Sequence, residues 1–339
     1  MNRALTFRAP WDLRLEVRPV PPPPRPTEVL VRIRATGICG TDLGIVRGEY
    51  QARPGVVLGH ESAGEVARVG RAVRAVRPGD RVVIDPTFFC GYCRMCRSLR
   101  PNHCESKAER ESGVSQDGTF AHYYCTDERF VHRIADQVSF AEASLTEPLS
   151  CALTGLEQLR LRADMDTVVA GAGPMGMLYC YALAARGFVG TMIEQSTGRL
   201  ALCRRLLPSG WQISPTPDEV ADSLDLVVDT TGAATSWALR SLRRGGQLLT
   251  IGLNSTRCEL QPALLADRSL SIVGSIDSIG TFSLARMMID TGSIPAQQLV
   301  TNELPLDQYE QGFALLGMDL HKRQRSLGEI RALKVVLTS

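Results

Sequence analysis

The chain reads as an α/β protein in two parts, a β-rich segment over residues 1 to about 135 followed by a doubly wound parallel sheet to about 285. Short β-branched runs punctuated by Gly, Pro and Asp fill the first part, as in EVLVRIRATG at 28–37 and DRVVID at 80–85. Continuous apolar runs alternating with helical patterns fill the second, which is the signature of strands buried on both faces. At 339 residues the chain exceeds one core of roughly 100–200 residues, so two domains are expected.

Taken in order, RALTF, LRLEV, EVLVRIRATG, SAGEVARVG and DRVVID predict strands. The proline run PVPPPPRP at 19–26 predicts a stiff, extended connection between two of them. Ser139 with Glu142 three residues on forms a capping box and opens a helix. The alternating region then runs TVVAGAG, a helix over PMGMLYCYALAARG ending at Gly187, the strand GTMIE, a helix over GRLALCRRLL, the strand LDLVVDTTG, a helix over ATSWALRSLRRGG, and the strands QLLTIGL and LSIVGSI. Beyond 285, SLARMMIDTG and DQYEQGFALLGM predict helices and ALKVVL a closing strand. The expected division is therefore 1–148 with 286–339, interrupted by 149–285.

Composition excludes several function classes. With 44% hydrophobic and 22% charged residues and a net charge of +2, the chain is an ordinary globular one. Its basic residues are almost all arginine, the lysines being Lys107, Lys322 and Lys334, and they are dispersed among nearly as many carboxylates. Binding nucleic acid needs clustered unpaired charge, so no such partner is expected. MNRALTFRAPWDLRLEV contains no continuous apolar stretch, so neither a signal peptide nor a membrane span is expected and the location is expected to be cytoplasmic.

The first chemical motif is VVAGAGPMG. Gly171, Gly173 and Gly176 fall at G-x-G-x-x-G spacing after an apolar strand, with Met175 in the turn that opens the helix. Glycine at the first position permits the turn, at the second lets a pyrophosphate approach the backbone, and at the third lets helix and strand pack closely. The helix N-terminus then favours the phosphates. The motif alone is weak, since a methyltransferase uses a similar strand, loop and helix. Glu194 strengthens it by ending the next strand, where a carboxylate accepts from the adenosine ribose hydroxyls and repels a 2′-phosphate. NAD is favoured over NADP, with Arg199 five residues later as the group that could accommodate a 2′-phosphate.

The second is CGYCRMCRSLRPNHC, in which Cys90, Cys93, Cys96 and Cys104 fall within fifteen positions. A disulfide knot, an iron–sulfur cluster, a redox pair and a zinc lobe are all conceivable. A reducing compartment disfavours the disulfides, and an iron–sulfur set would have a shorter last interval and usually a proline after the fourth cysteine, where this chain has Glu105. The cysteines at 125, 151, 180, 203 and 258 read as small core residues. GICGTDLGIV carries Cys39 and Thr41, and LGHESAGE carries His60 and Glu61. A histidine beside a glutamate among glycines is a poor core fragment, because neither is cheap to bury unpaired.

Together GICGTD, GHESAGEVARVG, GDRVV, the cysteine lobe, DGTFAHY, EPLSCALTGL, GAGPMG and SIVGS resemble, in order and over essentially the full length, the zinc-dependent medium-chain dehydrogenase/reductase family of alcohol, sorbitol and threonine dehydrogenases. The resemblance implies a GroES-like catalytic domain with a Rossmann NAD-binding domain, and two zinc ions per chain. Cys39 and His60 would be catalytic zinc ligands, Glu61 a ligand or one alternating with water, and Glu147 a further ligand of the kind found in polyol-type branches. Cys90, Cys93, Cys96 and Cys104 would close a structural zinc site with no open position. Thr41 resembles the family's hydroxyl relay; its plainer reading is a strand-end threonine bonded to local backbone. Where many relatives carry a histidine three residues later this chain has Gly44, so no terminal base is assigned.

The expected activity is hydride transfer between NAD(H) and a secondary alcohol or ketone of a polyol, sugar or (amino)cyclitol. A threonine-type or small-diol dehydrogenase and a non-catalytic zinc- and nucleotide-binding protein are the alternatives. Asp42, Glu49 and Asp117 could meet a substrate amine, although surface carboxylates or turn residues are the plainer reading. A homodimer or homotetramer joined through the nucleotide domains is implied. The basic stretch LHKRQRSLGEIR at 320–331 has no assigned role beyond an exposed loop or helix.

Overall fold

A computed structural model describes residues 1–22, 24–216, 223–278 and 280–339. Residue 23 of the proline run lies outside them. The chain divides into two compact units, Met1–Glu147 with Phe282–Ser339, and Pro148–Thr281.

The first unit begins with β1 (Asn2–Ala9) and β2 (Asp12–Arg18), an antiparallel hairpin. There follow β3 (Glu28–Gly37), α1 (Gly40–Arg47), β4 (Glu61–Val69), β5 (Arg81–Ile84), α2 (Arg94–Arg97), β6 (Tyr123–Asp127) and β7 (Val131–Arg133). The capping box at Ser139 is present: its hydroxyl accepts from the Glu142 N–H and the Glu142 carboxylate from the Ser139 N–H. It opens only a short helix, α3 (Phe140–Ser144), and α4 (Thr146–Glu157) starts two residues on.

The second unit is a six-stranded, all-parallel sheet. Its elements are β8 (Thr167–Ala170), α5 (Pro174–Ala184), β9 (Gly190–Ile193), α6 (Thr197–Cys203), β10 (Trp211–Ser214), β11 (Leu224–Asp229), α7 (Thr235–Ser241), β12 (Leu242–Thr250), α8 (Pro262–Arg268) and β13 (Ser271–Gly274). The order β10-β9-β8-β11-β12-β13 reverses direction at β8, which is the doubly wound arrangement. Two differences from the sequence pattern stand out. The helix expected over 234–246 stops at Ser241 and the chain continues as strand, because Gly245 and Gly246 give a helix nothing to pack. β10, α8 and, in the first unit, the strand at Val300–Pro305 are short and only partly apolar, so the sequence showed no run for them.

The chain returns to the first unit through α9 (Phe282–Asp290), α10 (Ala296–Leu299), β14 (Val300–Pro305), α11 (Tyr309–Leu315), β15 (Met318–Asp319), β16 (Gln324–Arg325) and β17 (Lys334–Thr338). The second sheet of the molecule runs β14-β17-β3-β4-β5-β7, with β6 also on β3. The last strand of the chain therefore sits beside β3 in the middle of the sheet, antiparallel to it. The basic stretch supplies the exposed tip and second strand of the β15–β16 hairpin and the turn Leu327–Glu329 after it; at the tip Lys322 pairs with Asp319 and His321 with Glu310.

A core of Leu5, Ile38, Ile45, Leu58, Phe120, Phe313, Val335 and Leu337 lies on one face of the first unit's elements. It joins the N-terminal hairpin, α1 and the C-terminal elements, so the discontinuous segments fold as one body. Phe313 is fully buried in this core. Phe313→Ala should lower the urea unfolding free energy of this unit by about 3–5 kcal/mol, the cost of a buried aromatic lost to a cavity. Tryptophan or circular-dichroism unfolding curves would measure it.

Candidate functional site

Cys39 lies at the end of β3, where the strand gives way to α1. It is the N-cap of that helix: its Sγ accepts from the Thr41 N–H at 3.5 Å, and the Asp42 carboxylate returns to the Cys39 N–H at 2.8 Å. The two interactions close a capping box built on a thiol instead of a hydroxyl. Thr41 is thus in the first helical turn and not at a strand end, and its Oγ1 lies 3.7 Å from the Cys39 sulfur. His60 and Glu61 come from the start of β4, whose register pairs Glu61 with Gly37 at the end of β3. Antiparallel pairing brings the two motifs together although 21 positions separate Cys39 from His60. Donor atoms of Cys39, His60 and Glu61 lie within 4.8 Å of one another. Glu147 is buried in the first turn of α4, outside that triplet but close enough for its charge to act on His60 and Lys334.

Two charged residues here take roles in the site that the sequence did not indicate. Asp42, expected at the surface or in a turn, is fully buried. Its Oδ2 holds the Cys39 N–H and its Oδ1 accepts from the Gly59 N–H at 3.2 Å, so one carboxylate anchors the backbone of both donor segments. Burial pushes its carboxyl upward, opposed by His60 and by the Cys39 N–H. Lys334, which opens β17, is the other. Its Nζ is buried, pairs with Glu61 Oε2 and donates to the Ile38 carbonyl at 3.0 Å. The motif readings missed it because a lysine at the start of a closing strand ordinarily faces water. Glu49 and Asp117, by contrast, are tied to Arg47 and Arg18, away from this cluster.

The electrostatics of the cluster favour positive charge. Burial works against a charged His60 ring, yet Cys39, Asp42 and Glu147 outweigh it and draw the imidazole well above its usual range. Buried anions of this density need a compensating positive charge. Sulfur, imidazole nitrogen and carboxylate oxygen are together a donor set suited to zinc, so the residues fit that metal.

The four cysteines Cys90, Cys93, Cys96 and Cys104 also have their sulfurs within 4.8 Å of one another, and all are free thiols. Sulfur separations are 3.4 Å for Cys93–Cys96 and 3.8 Å for Cys90–Cys96, far beyond a disulfide bond. Backbone N–H groups of Cys96 and Glu105 lower the Cys93 thiol to about 6, whereas burial, with its sulfur neighbours, pushes Cys96 to about 12. Cys90 is lowered as well, by the N–H groups of Tyr92 and Cys93 against its burial, so lowered and raised thiols sit side by side, a mismatch that a dication held by all four sulfurs would remove. His103 beside them is exposed.

In the second unit, Gly173 caps α5 with Pro174 at its first position, and Met175 follows in that first turn. A Cβ at Gly176 would fall on the Gly171 carbonyl oxygen, so only glycine allows helix and loop this close. Glu194 follows β9 with both oxygens held: Oε2 accepts from the Ala172 N–H at 2.9 Å and Oε1 from the Ser196 N–H at 2.7 Å. Arg199 lies 3.9 Å from Glu194 Oε2, and its Nε is buried without a hydrogen-bond partner among the described residues. Asp229 at the end of β11, unassigned from sequence, accepts from the N–H groups of Thr231, Gly232 and Ala234 and fixes the loop beside Gly171.

Residues 25–136 match the alcohol dehydrogenase GroES-like domain. The chain is 30% identical to the "Probable D-xylulose reductase A" of Aspergillus clavatus, over 92% of each chain. Among solved structures it resembles 2R,3R-butanediol dehydrogenase from Bacillus subtilis (25% identity, TM-score 0.86, all of both chains) and alcohol dehydrogenase TADH from Thermus sp. ATN1 (27%, TM-score 0.85, 99% of each). The protein belongs to the zinc-dependent medium-chain dehydrogenase/reductase family and is an oxidoreductase of GroES-like and Rossmann architecture.

Cys93→Ser should halve the zinc found per chain and lower the melting temperature, while Cys39→Ser should lose zinc without a comparable loss of stability. Metal analysis and thermal unfolding of the two variants side by side would check the assignment of the two clusters.

Proposed function

We propose that the protein is a zinc-dependent dehydrogenase that passes hydride between NAD(H) and a secondary alcohol of a polyol, sugar or (amino)cyclitol. The observation that carries this reading is the convergence of Cys39, His60 and Glu61, with buried Glu147 near them. Cys39, His60 and Glu147 would hold the metal, which when bound supplies a Lewis acid for the alcohol oxygen. A carboxylate in the set, where a thiolate would carry more charge transfer, suits the polyol relatives, of which the D-xylulose reductases are examples.

The chain's own residues supply the rest. Thr41 presents a hydroxyl beside the donors and would take the substrate's hydroxyl proton. The next position on that helical face is Gly44, against which Tyr50 packs, its Cβ 3.5 Å from where a Gly44 Cβ would stand. The proton would therefore leave through water or the cofactor ribose. Glu194, oriented by two backbone N–H groups, keeps lone pairs for the ribose hydroxyls and opposes a 2′-phosphate. Arg199 beside it softens that opposition, so NAD is preferred without NADP being shut out.

NADH formation followed by absorbance on polyols, sugars, cyclitols, aminocyclitols, 2,3-butanediol and threonine, with NAD and with NADP, tests the reading. A polyol or cyclitol should respond best, with NAD. Cys39→Ser and Glu147→Ala should each abolish turnover while NADH binding, read by fluorescence, persists. A best response to threonine or butanediol would move the substrate class, and silence from a zinc-loaded protein would favour the non-catalytic alternative.

The proposal extends to a homo-oligomer joined through the nucleotide-binding unit. β13 is an edge strand of the parallel sheet and carries exposed Ile272, with Ile276, Leu253 and Leu260 also exposed in the same unit. An unpaired apolar edge invites a second copy of itself. Light scattering should give a dimer or tetramer for the native chain and a monomer for Ile272→Pro.

A further inference from the structure

Resting on the polyol reading of the site, we propose that Tyr50 and Glu111 set its substrate specificity: together they read a hydroxyl group that the substrate carries beyond the reacting carbon.

The pair joins the two backbone segments that supply the donors. Cys39 caps α1 and Thr41 lies in its first turn. Gly44 shares a helix face with Thr41, three residues and about 4.5 Å farther along the axis. The chain reverses at Gly48, whose φ is +76°, and the N–H groups of Glu49 and Tyr50 both return to the Gly44 carbonyl, at 2.9 and 3.2 Å. Tyr50 is thereby laid against Gly44, where an added Cβ would touch the Tyr50 Cβ at 3.5 Å. Its hydroxyl donates to Glu111 Oε1 at 3.3 Å.

Glu111 is anchored on the His60 side. Its carbonyl accepts from the N–H groups of Val114, Ser115 and Gln116, and its own N–H donates to Ser115 Oγ at 3.0 Å, so the carboxylate stands on a closed loop. That loop rests on the residue before His60: a Cβ at Gly113 would lie 3.0 Å from the Gly59 nitrogen and oxygen, and one at Gly118 would fall on the same oxygen. A bond from the Arg53 N–H to the Val114 carbonyl at 2.9 Å ties the loop to the segment carrying Tyr50. The Tyr50–Glu111 hydrogen bond thus runs from a segment packed on α1 to a loop packed on the neighbour of His60.

The groups suit a polyhydroxylated ligand. Tyr50, Glu111 and Lys107 are each half-buried, and the Lys107 ammonium stands 3.8 Å from Glu111 Oε1. Both contacts use Oε1, which leaves Oε2 to accept from a ligand. A plain aliphatic alcohol has nothing for these groups to bind. A polyol presents hydroxyls on adjacent carbons, which donate to a carboxylate and accept from a phenol or an ammonium. Bonds to a charged acceptor are the stronger kind, and a site built around them rejects an analogue that lacks the hydroxyl. The carboxylates that the sequence offered for substrate contact are committed elsewhere, Asp42 to two backbone N–H groups, Glu49 to Arg47 and Asp117 to Arg18. Glu111 takes that part.

Steady-state kinetics of the zinc-loaded chain with NAD test the pair on xylitol, sorbitol, glucose, myo-inositol and its amino analogue, and threonine, with 2-butanol as the alcohol that carries no second hydroxyl. The wild type should prefer one of the polyols, sugars or cyclitols to 2-butanol by roughly a hundredfold in kcat/KM. Tyr50→Phe and Glu111→Gln each remove one partner of the hydrogen bond at nearly constant volume. Each should raise the KM for the preferred substrate about tenfold while kcat stays within about twofold, the pattern of a lost binding contact. A purely structural role would lower kcat or the melting temperature and leave KM in place. Either variant decides the matter if the other does not fold. A wild-type KM in the folded variants, a loss confined to kcat, or a wild type that oxidises 2-butanol as well as the best polyol overturns the inference and leaves the dehydrogenase reading standing. A best response to threonine, or silence on every compound, overturns the polyol reading and the inference with it.

Discussion

The register between β17, β3 and β4 is the constraint on which the rest of the donor site depends. A one-residue slip in any of these pairings would turn alternate side chains to the opposite face of the sheet. Glu61 would then leave Gly37, and Lys334 would leave Glu61. The register is held from both sides. Val29, Val31, Ile33 and Val66 pack into a core on one face, and Ile38, Val335 and Leu337 pack into another with the N-terminal hairpin and α11. Hydrophobic burial on the two faces thus fixes where four ionisable groups sit, although none of those groups contributes to the burial.

Around this register, polar groups are satisfied by backbone more than by one another. Asp42 takes the N–H groups of Cys39 and Gly59, Glu194 those of Ala172 and Ser196, and Asp229 those of three residues in its loop. Each is a buried carboxylate that stiffens a loop at or beside a candidate site segment. A carboxylate used this way offers strong, charge-assisted bonds to N–H groups that no strand or helix would otherwise satisfy. The same device therefore serves the Cys39–His60 donor cluster and the glycine-rich loop, in two units with unrelated folds.

The discontinuity of the first unit has a physical counterpart. Its C-terminal strand enters the middle of the sheet and not an edge, so the unit is incomplete until Lys334–Thr338 has been made. Central strands bury both faces and both hydrogen-bonding edges, which is why a fully buried lysine can be tolerated there at all: its charge is matched and its donors are used. The parallel-sheet unit, in contrast, is continuous in sequence and has β13, with exposed Ile272, at its edge.

The sequence by itself determined the two-part α/β class, the parallel sheet and the local motifs. Each of these is written in short-range pattern: apolar runs of strand length, the capping box at Ser139, glycines two and then three positions apart where a helix opens, and Cys90, Cys93 and Cys96 spaced three residues apart. Such signals survive because the groups that interact are neighbours along the chain. Only the tertiary structure decided the fates of Asp42 and Lys334, and the strand identity of residues 242–246. Asp42 and Asp117 look alike in sequence, yet one lies beneath two donor segments and the other pairs with an arginine at the surface. Lys334 is 273 positions from Glu61, and the contact exists only because β17 inserts beside β3. No local pattern encodes a pairing of that range, since it is set by which strands share a sheet and by how the core fixes their register.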